Sequence, residues 1–148
     1  MDSSTPARVL LVAHRTAATA GLGDAVRRRA GEGPARFTLL VPRTAHGLHR
    51  LMDPEDTDES GARAILDRAL PLLTSAAGSP VDGLIGDPTP LTAIEDALNS
   101  RPFDEIILST LPARISRWMR LDLPSKVGGF GIPVTVVTAA EEPAAIAG

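Results

Sequence analysis

Four short stretches of this chain are almost continuously aliphatic: Val9-Leu10-Leu11-Val12-Ala13, Phe37-Thr38-Leu39-Leu40-Val41, Ile106-Ile107-Leu108 and Val134-Thr135-Val136-Val137. A strand wetted on one face alternates apolar and polar residues. A continuous apolar run needs apolar neighbours on both faces. Such strands belong to parallel sheets covered on both sides, and parallel strands must be joined by crossovers, usually helices. The first strand is expected over residues 8–13, the second over 36–41 and the fourth within 103–108. The last is expected over 132–138. A weaker third strand is read at Val81-Asp82-Gly83-Leu84-Ile85-Gly86.

The crossovers are present in the pattern. Ala25, Val26 and Ala30 form the apolar side of an Arg-rich segment that begins near Thr19, and Gly31 and Gly33 stop it. Ala62, Ile65, Leu66, Ala69, Leu70, Leu72 and Leu73 recur at helical spacing, with Pro71 expected to kink or end that helix. The acids of Asp53-Pro54-Glu55-Asp56-Thr57-Asp58-Glu59 suit its solvated start, where carboxylates meet the positive end of the helix dipole. Leu91, Ala93, Ile94, Ala97 and Leu98 mark a third helix, and Leu123-Pro124-Ser125 opens a last one. Gly128-Gly129-Phe130-Gly131 reads as its C-terminal cap rather than a phosphate loop. Strands and helices therefore alternate. The fold class is α/β, a five-stranded parallel doubly wound sheet with helices on both faces. A chain of 148 residues is one domain's worth, expected to span 1–148 with fraying at 1–6 and 139–148.

Composition narrows the function classes. The chain has no cysteine, which excludes a disulfide scaffold, a thiol nucleophile and a thiolate zinc site. The net charge is −3 and aromatic residues are 3%, too acidic and too poor in stacking surface for a general nucleic-acid binder. No apolar run approaches the roughly 20 residues of a membrane span. Residues 1–6 lack the basic and apolar regions of a signal peptide. The expectation is a cytoplasmic protein with no nucleic-acid or membrane partner.

In doubly wound sheets, ligands bind beyond the carboxyl ends of the strands, where the strand order reverses. That rule singles out Ala13, His14, Arg15 and Thr16 after the first strand, and Val41 and Pro42 at the end of the second. It also selects Ser109 and Thr110 after the fourth, and Ser125 at the last helix. Arg114, Arg117 and Arg120 follow at three-residue spacing, which a helix or tight turn aligns on one side, and their guanidinium forks suit phosphate or carboxylate. The plainer reading pairs them with Asp104, Glu105, Asp122 or a second subunit, or leaves them in water. His14, His46 and His49 all fall at strand ends, but as loop histidines rather than a metal triad, and no metal is expected. No Gly-x-Ser-x-Gly elbow and no P-loop occurs. A phosphoacceptor receiver domain shares the alternation but needs acids where Ala13-His14-Arg15-Thr16 stands.

Residues 7–138 resemble the universal stress protein family. The best matches are Val9-Leu10-Leu11-Val12-Ala13, Gly86-Asp87-Pro88, Phe103-Asp104-Glu105-Ile106-Ile107-Leu108-Ser109-Thr110 and Ile132-Pro133-Val134-Thr135-Val136-Val137. The Gly-Asp-Pro step and the closing Pro-Val-x-Val-Val strand are characteristic of that family. The resemblance implies its adenine nucleotide alpha hydrolase-like fold. It also implies a homodimer through the last strand, with Ile132, Val134, Val136 and Thr138 at the interface. The chain departs from the family at the nucleotide loop. His14 stands where nucleotide-binding members carry aspartate. The glycines of their Gly-x2-Gly-x9-Gly-Ser/Thr loop fall near Ser109, Pro112 and Leu121-Asp122-Leu123. Glycine lets backbone approach phosphate closely, and Pro112 removes an N–H donor.

The leading expectation is a non-catalytic, dimeric sensor or adaptor with a degenerate nucleotide pocket. One alternative is a binder of ATP, AMP or another small phosphorylated ligand through the arginines. Another is an enzyme on a nucleotide or phosphorylated substrate with His14 or His46 as general base.

Overall fold

The computed structural model of the chain describes residues 5–14, 16–43, 58–110 and 123–138. Five strands form one sheet: β1 (Ala7–Val12), β2 (Ala35–Pro42), β3 (Asp82–Gly86), β4 (Glu105–Thr110) and β5 (Val134–Thr138). All pairs are parallel, and the order is β3-β2-β1-β4-β5. Among the described residues, four helices accompany them: α1 (Ala20–Gly31), α2 (Asp58–Ala77), α3 (Pro90–Ser100) and α4 (Leu123–Gly128). This is the doubly wound α/β fold expected from the alternation.

The sheet divides the core in two. Val9, Leu11 and Ala13 of the first strand and its extension pack with Phe37, Leu39 and Val41 against Leu22, Val26, Leu66, Ala69 and Leu73 of α1 and α2. Leu10, Val12, Leu40, Ile106 and Leu108 pack on the other side, against Ala93, Ile94 and Ala97 of α3 and Val127 of α4. Period-two alternation sends neighbouring residues to opposite faces. Both faces of β1 are dry because both sets of side chains are apolar, and Val9, Leu10, Leu11 and Val12 are each 0% exposed.

The structure departs from expectation at Pro71. α2 runs through it to Ala77. Pro71 lies on the exposed side of the helix, where water reaches the carbonyl its missing N–H leaves open. Ala69, Leu73 and Ala76 meanwhile hold the helix to the sheet. Gly78, at φ +75, closes α2 by donating its N–H to the Thr74 carbonyl at 2.9 Å. The glycines after α4 act as a cap too: Gly129 N–H donates to the Ser125 carbonyl at 3.1 Å and Gly131 N–H to the Gly128 carbonyl at 3.0 Å. Among the described residues no helix is long and apolar enough to cross a membrane.

β3 is an edge strand squeezed between two helices. A Cβ on Gly83 would sit 2.9 Å from Leu66 Cδ2 and 3.1 Å from Leu70 Cδ1, both flexible side-chain ends of α2. A Cβ on Gly86 would sit 2.7 Å from Ala93 Cβ and 3.4 Å from Ala93 Cα on α3. The first clash can be relieved by rotating a leucine; the second requires the helix to move. Gly86→Ala should therefore lose roughly 1–3 kcal/mol, the usual cost of overpacking. Gly83→Ala should lose clearly less. Denaturant midpoints of the two variants give the comparison, and equal losses would contradict this packing.

At the amino ends of the strands, Asp104 clamps β1. Arg8 donates to its carboxylate from the guanidinium at 3.2 Å and from its own backbone N–H at 2.7 Å. Asp104 N–H returns a bond to the Arg8 carbonyl at 2.7 Å. The Arg8 side-chain bonds, then its backbone bond, hold the Asp104 carboxyl below the usual carboxylate range. A depressed folded-state value stabilises the protein above the unfolded value near pH 3.9 and is lost as pH falls through the folded value. Asp104→Asn should flatten the acid limb of the stability–pH curve below about pH 4. An unchanged acid limb would show that the clamp does not contribute.

Candidate functional site

The strand order reverses at β1, whose two neighbours are β2 and β4. The described helices that follow β1 and β4 in the chain pack on opposite faces of the sheet, α1 after β1 and α4 after β4. This is the topological switch point, where a doubly wound sheet opens a crevice.

Two nested turns lead from β1 into α1. Ala17 N–H donates to the His14 carbonyl at 3.2 Å, and Thr19 N–H to the Thr16 carbonyl at 3.1 Å. Thr19 occupies the N-cap of α1, but its hydroxyl does not cap the helix. It donates instead to the same Thr16 carbonyl, at 2.8 Å. From β4, Ser109 and Thr110 reach the same region. Thr16 Oγ1 and Ser109 Oγ are hydrogen-bonded at 2.7 Å, with either able to donate. Both are nearly sealed from water, at 2% and 1% exposure. Thr19 and Thr110 are buried with them. Where the ends of β1 and β4 meet, the buried polar side chains are thus neutral hydroxyls. Neutral hydroxyls position and hydrogen-bond a ligand; at ordinary pH they are neither acids nor bases.

A second strand end lies beside the first. Pro42 closes β2, and Arg43 N–H donates to the Gly86 carbonyl at 2.9 Å, joining β2 to the end of β3. Asp87 then accepts Thr89 N–H at 2.9 Å, turning the chain into α3.

The expected site residues fall into four groups. Thr16, Ser109 and Thr110 come together at the switch point, with His14 half-buried beside them on the first turn. Ala13 and Val41 lie fully inside the core on the α1 and α2 face, so their side chains belong to packing and only their backbone faces the strand ends. Ser125 is exposed within α4. Arg15, Arg114, Arg117, Arg120, His46 and His49 lie outside the described residues. Among the described residues no group of three His, Asp or Glu side chains is placed to hold a metal ion.

Thr19 and the Thr16–Ser109 bond were missed by sequence reading. The signal for the bond was available only jointly. Strand order brings the end of β1 beside the end of β4, and Thr16 follows the apolar run of the one as Ser109 follows the apolar run of the other. Thr19 resembles an ordinary N-cap, and its actual partner depends on the turn geometry.

No protein-family model matches the chain, and no curated protein matches it. A solved structure of a universal stress protein in complex with cAMP shares the fold. The two superpose with a TM-score of 0.59 over 93% of this chain and 100% of that one, at 15% identity. The likeness is one of architecture: the five-stranded parallel sheet and its helices are universal-stress-protein-like.

Proposed function

We propose that the chain is a non-catalytic sensor domain that binds an adenine nucleotide at the β1–β4 switch point and works as a dimer. The observation that carries this reading is the coincidence of two facts. A cluster of buried hydroxyls lies at the switch point, and the fold neighbour was solved in complex with cAMP. The neutrality of the Thr16, Thr19, Ser109 and Thr110 side chains supports binding over turnover. Arg114, Arg117 and Arg120 follow β4 in the chain. Their charge takes the part that a glycine cradle of backbone N–H groups plays in the family the sequence resembles. The pocket is therefore degenerate in its loop and dependent on side chains for phosphate.

A thermal-shift series against cAMP, AMP, ADP and ATP, with and without magnesium, tests the reading. A ligand at 100 times its dissociation constant adds roughly 2.7 kcal/mol, and the melting midpoint should rise by several degrees, roughly 5–10 °C for this length. The rise should shrink in the Arg114→Ala/Arg117→Ala variant. No rise with any nucleotide at millimolar concentration would refute nucleotide binding.

The dimer reading rests on β5. Among the described residues it pairs with β4 only and forms the edge of the sheet. Its side chains are half-covered at best, and Val136 is 38% exposed. An aliphatic edge strand with unpaired backbone groups is a template for pairing with a second copy. Light scattering should give a dimer for the wild type and a monomer for Val136→Lys, with unfolding of the monomer intact. A monomeric wild type would refute the dimer.

A further inference from the structure

The sheet splits at the switch point, and the split has a defined level. The β1–β4 register runs from Val9 with Glu105 to Val12 with Leu108. One residue further, Ala13 N–H still bonds to the Leu40 carbonyl of β2, at 3.2 Å. Ser109 and Thr110 still pair with Val137 and Thr138 of β5. Past Val12 and Leu108, then, the end of β1 stays with β2 while the end of β4 stays with β5. The Thr16–Ser109 bond spans that divide. It joins side chains 93 positions apart, in a place from which water is excluded. The Thr16 end is itself fixed, because its carbonyl accepts both the N–H and the hydroxyl of Thr19 at the start of α1.

We propose that the Thr16–Ser109 hydrogen bond is a strut that sets the spacing of the diverging β1 and β4 ends. Thr16 and Ser109 are then positioning residues for whatever occupies the crevice. Breaking the strut frees the β1–α1 turn from β4, although neither residue belongs to a helix. The consequence for ligand rests on the nucleotide reading: a crevice whose walls move independently must be ordered by its ligand, and affinity falls by that cost.

Hydrogen–deuterium exchange at the Ala17 and Thr19 amides, the two N–H groups of the β1–α1 turns, reads the strut without any ligand. In Ser109→Ala, distant in sequence from the turn, both amides should exchange roughly 3- to 10-fold faster, the equilibrium worth of one neutral hydrogen bond. Thr16→Val should do the same, the double variant should add nothing further, and Thr16→Ser should restore slow exchange. Calorimetric titration with cAMP should then show affinity falling by a similar factor in Ser109→Ala and returning in Thr16→Ser. Unchanged exchange in Ser109→Ala would overturn the strut, whether or not nucleotide binds. Faster exchange with unchanged cAMP affinity would overturn the positioning role. A wild type that binds no cAMP or other adenine nucleotide would overturn the nucleotide reading, and exchange alone would then decide the strut. Ser109→Ala removes a single oxygen, so a folded variant is expected, and its thermal midpoint checks this.

Discussion

β1 carries the fold because it is enclosed on four sides. Two edges are hydrogen-bonded, to β2 and to β4, and two faces are packed, against α1 and α2 on one side and toward α3 and α4 on the other. A buried backbone group without a partner costs as much as a lost hydrogen bond. From Val9 to Val12, where both edges are paired, the strand therefore carries only apolar side chains. β2 and β4 meet the demand for backbone partners on its two edges, and the strand order reverses at β1. The proposed site lies beyond the end of the most constrained element in the molecule.

The two ends of the sheet differ in chemistry. At the amino ends, charge does the joining. Arg8 with Asp104 ties β1 to the start of β4, and Arg29 of α1 meets Glu105 at 2.7 Å. At the carboxyl ends, the described groups that meet across β1 and β4 are neutral hydroxyls. Ion pairs tolerate water around them, whereas neutral hydroxyls sealed from solvent must satisfy one another.

Most of the architecture was legible because burial on both faces leaves a plain mark. The runs at Val9, Phe37, Ile106 and Val134 became β1, β2, β4 and β5 within one or two residues at most ends. Helical periodicity located α2 and α3. Pro71 misled because the rule against interior proline concerns local hydrogen bonding, while this helix is held from below by Ala69, Leu73 and Ala76. The site was legible only in part. Strand order points to the residues after β1 and β4 in general terms. It does not reveal that Thr16 and Ser109 bond each other, or that Thr19 turns away from the helix it begins. Those are facts of turn geometry, decided by distances of less than 3 Å between residues remote in sequence. Ala13 and Val41 stand at strand ends with their side chains in the core, so only their backbone is left to face those ends.

The same topology sets an order of assembly. Synthesis delivers β1 first, and one of its edges can be paired by β2 soon afterwards. The other edge waits for β4, which begins only at Glu105. Between those moments the most apolar strand of the chain presents a bare row of N–H and C=O groups. Local pairs form before distant ones because closing a long loop costs entropy before any contact returns it. Of the five strands the central one is thus the first to be made, yet its second edge stays open until β4 arrives. During that interval β1 is the segment of the nascent chain most in need of shielding from other chains.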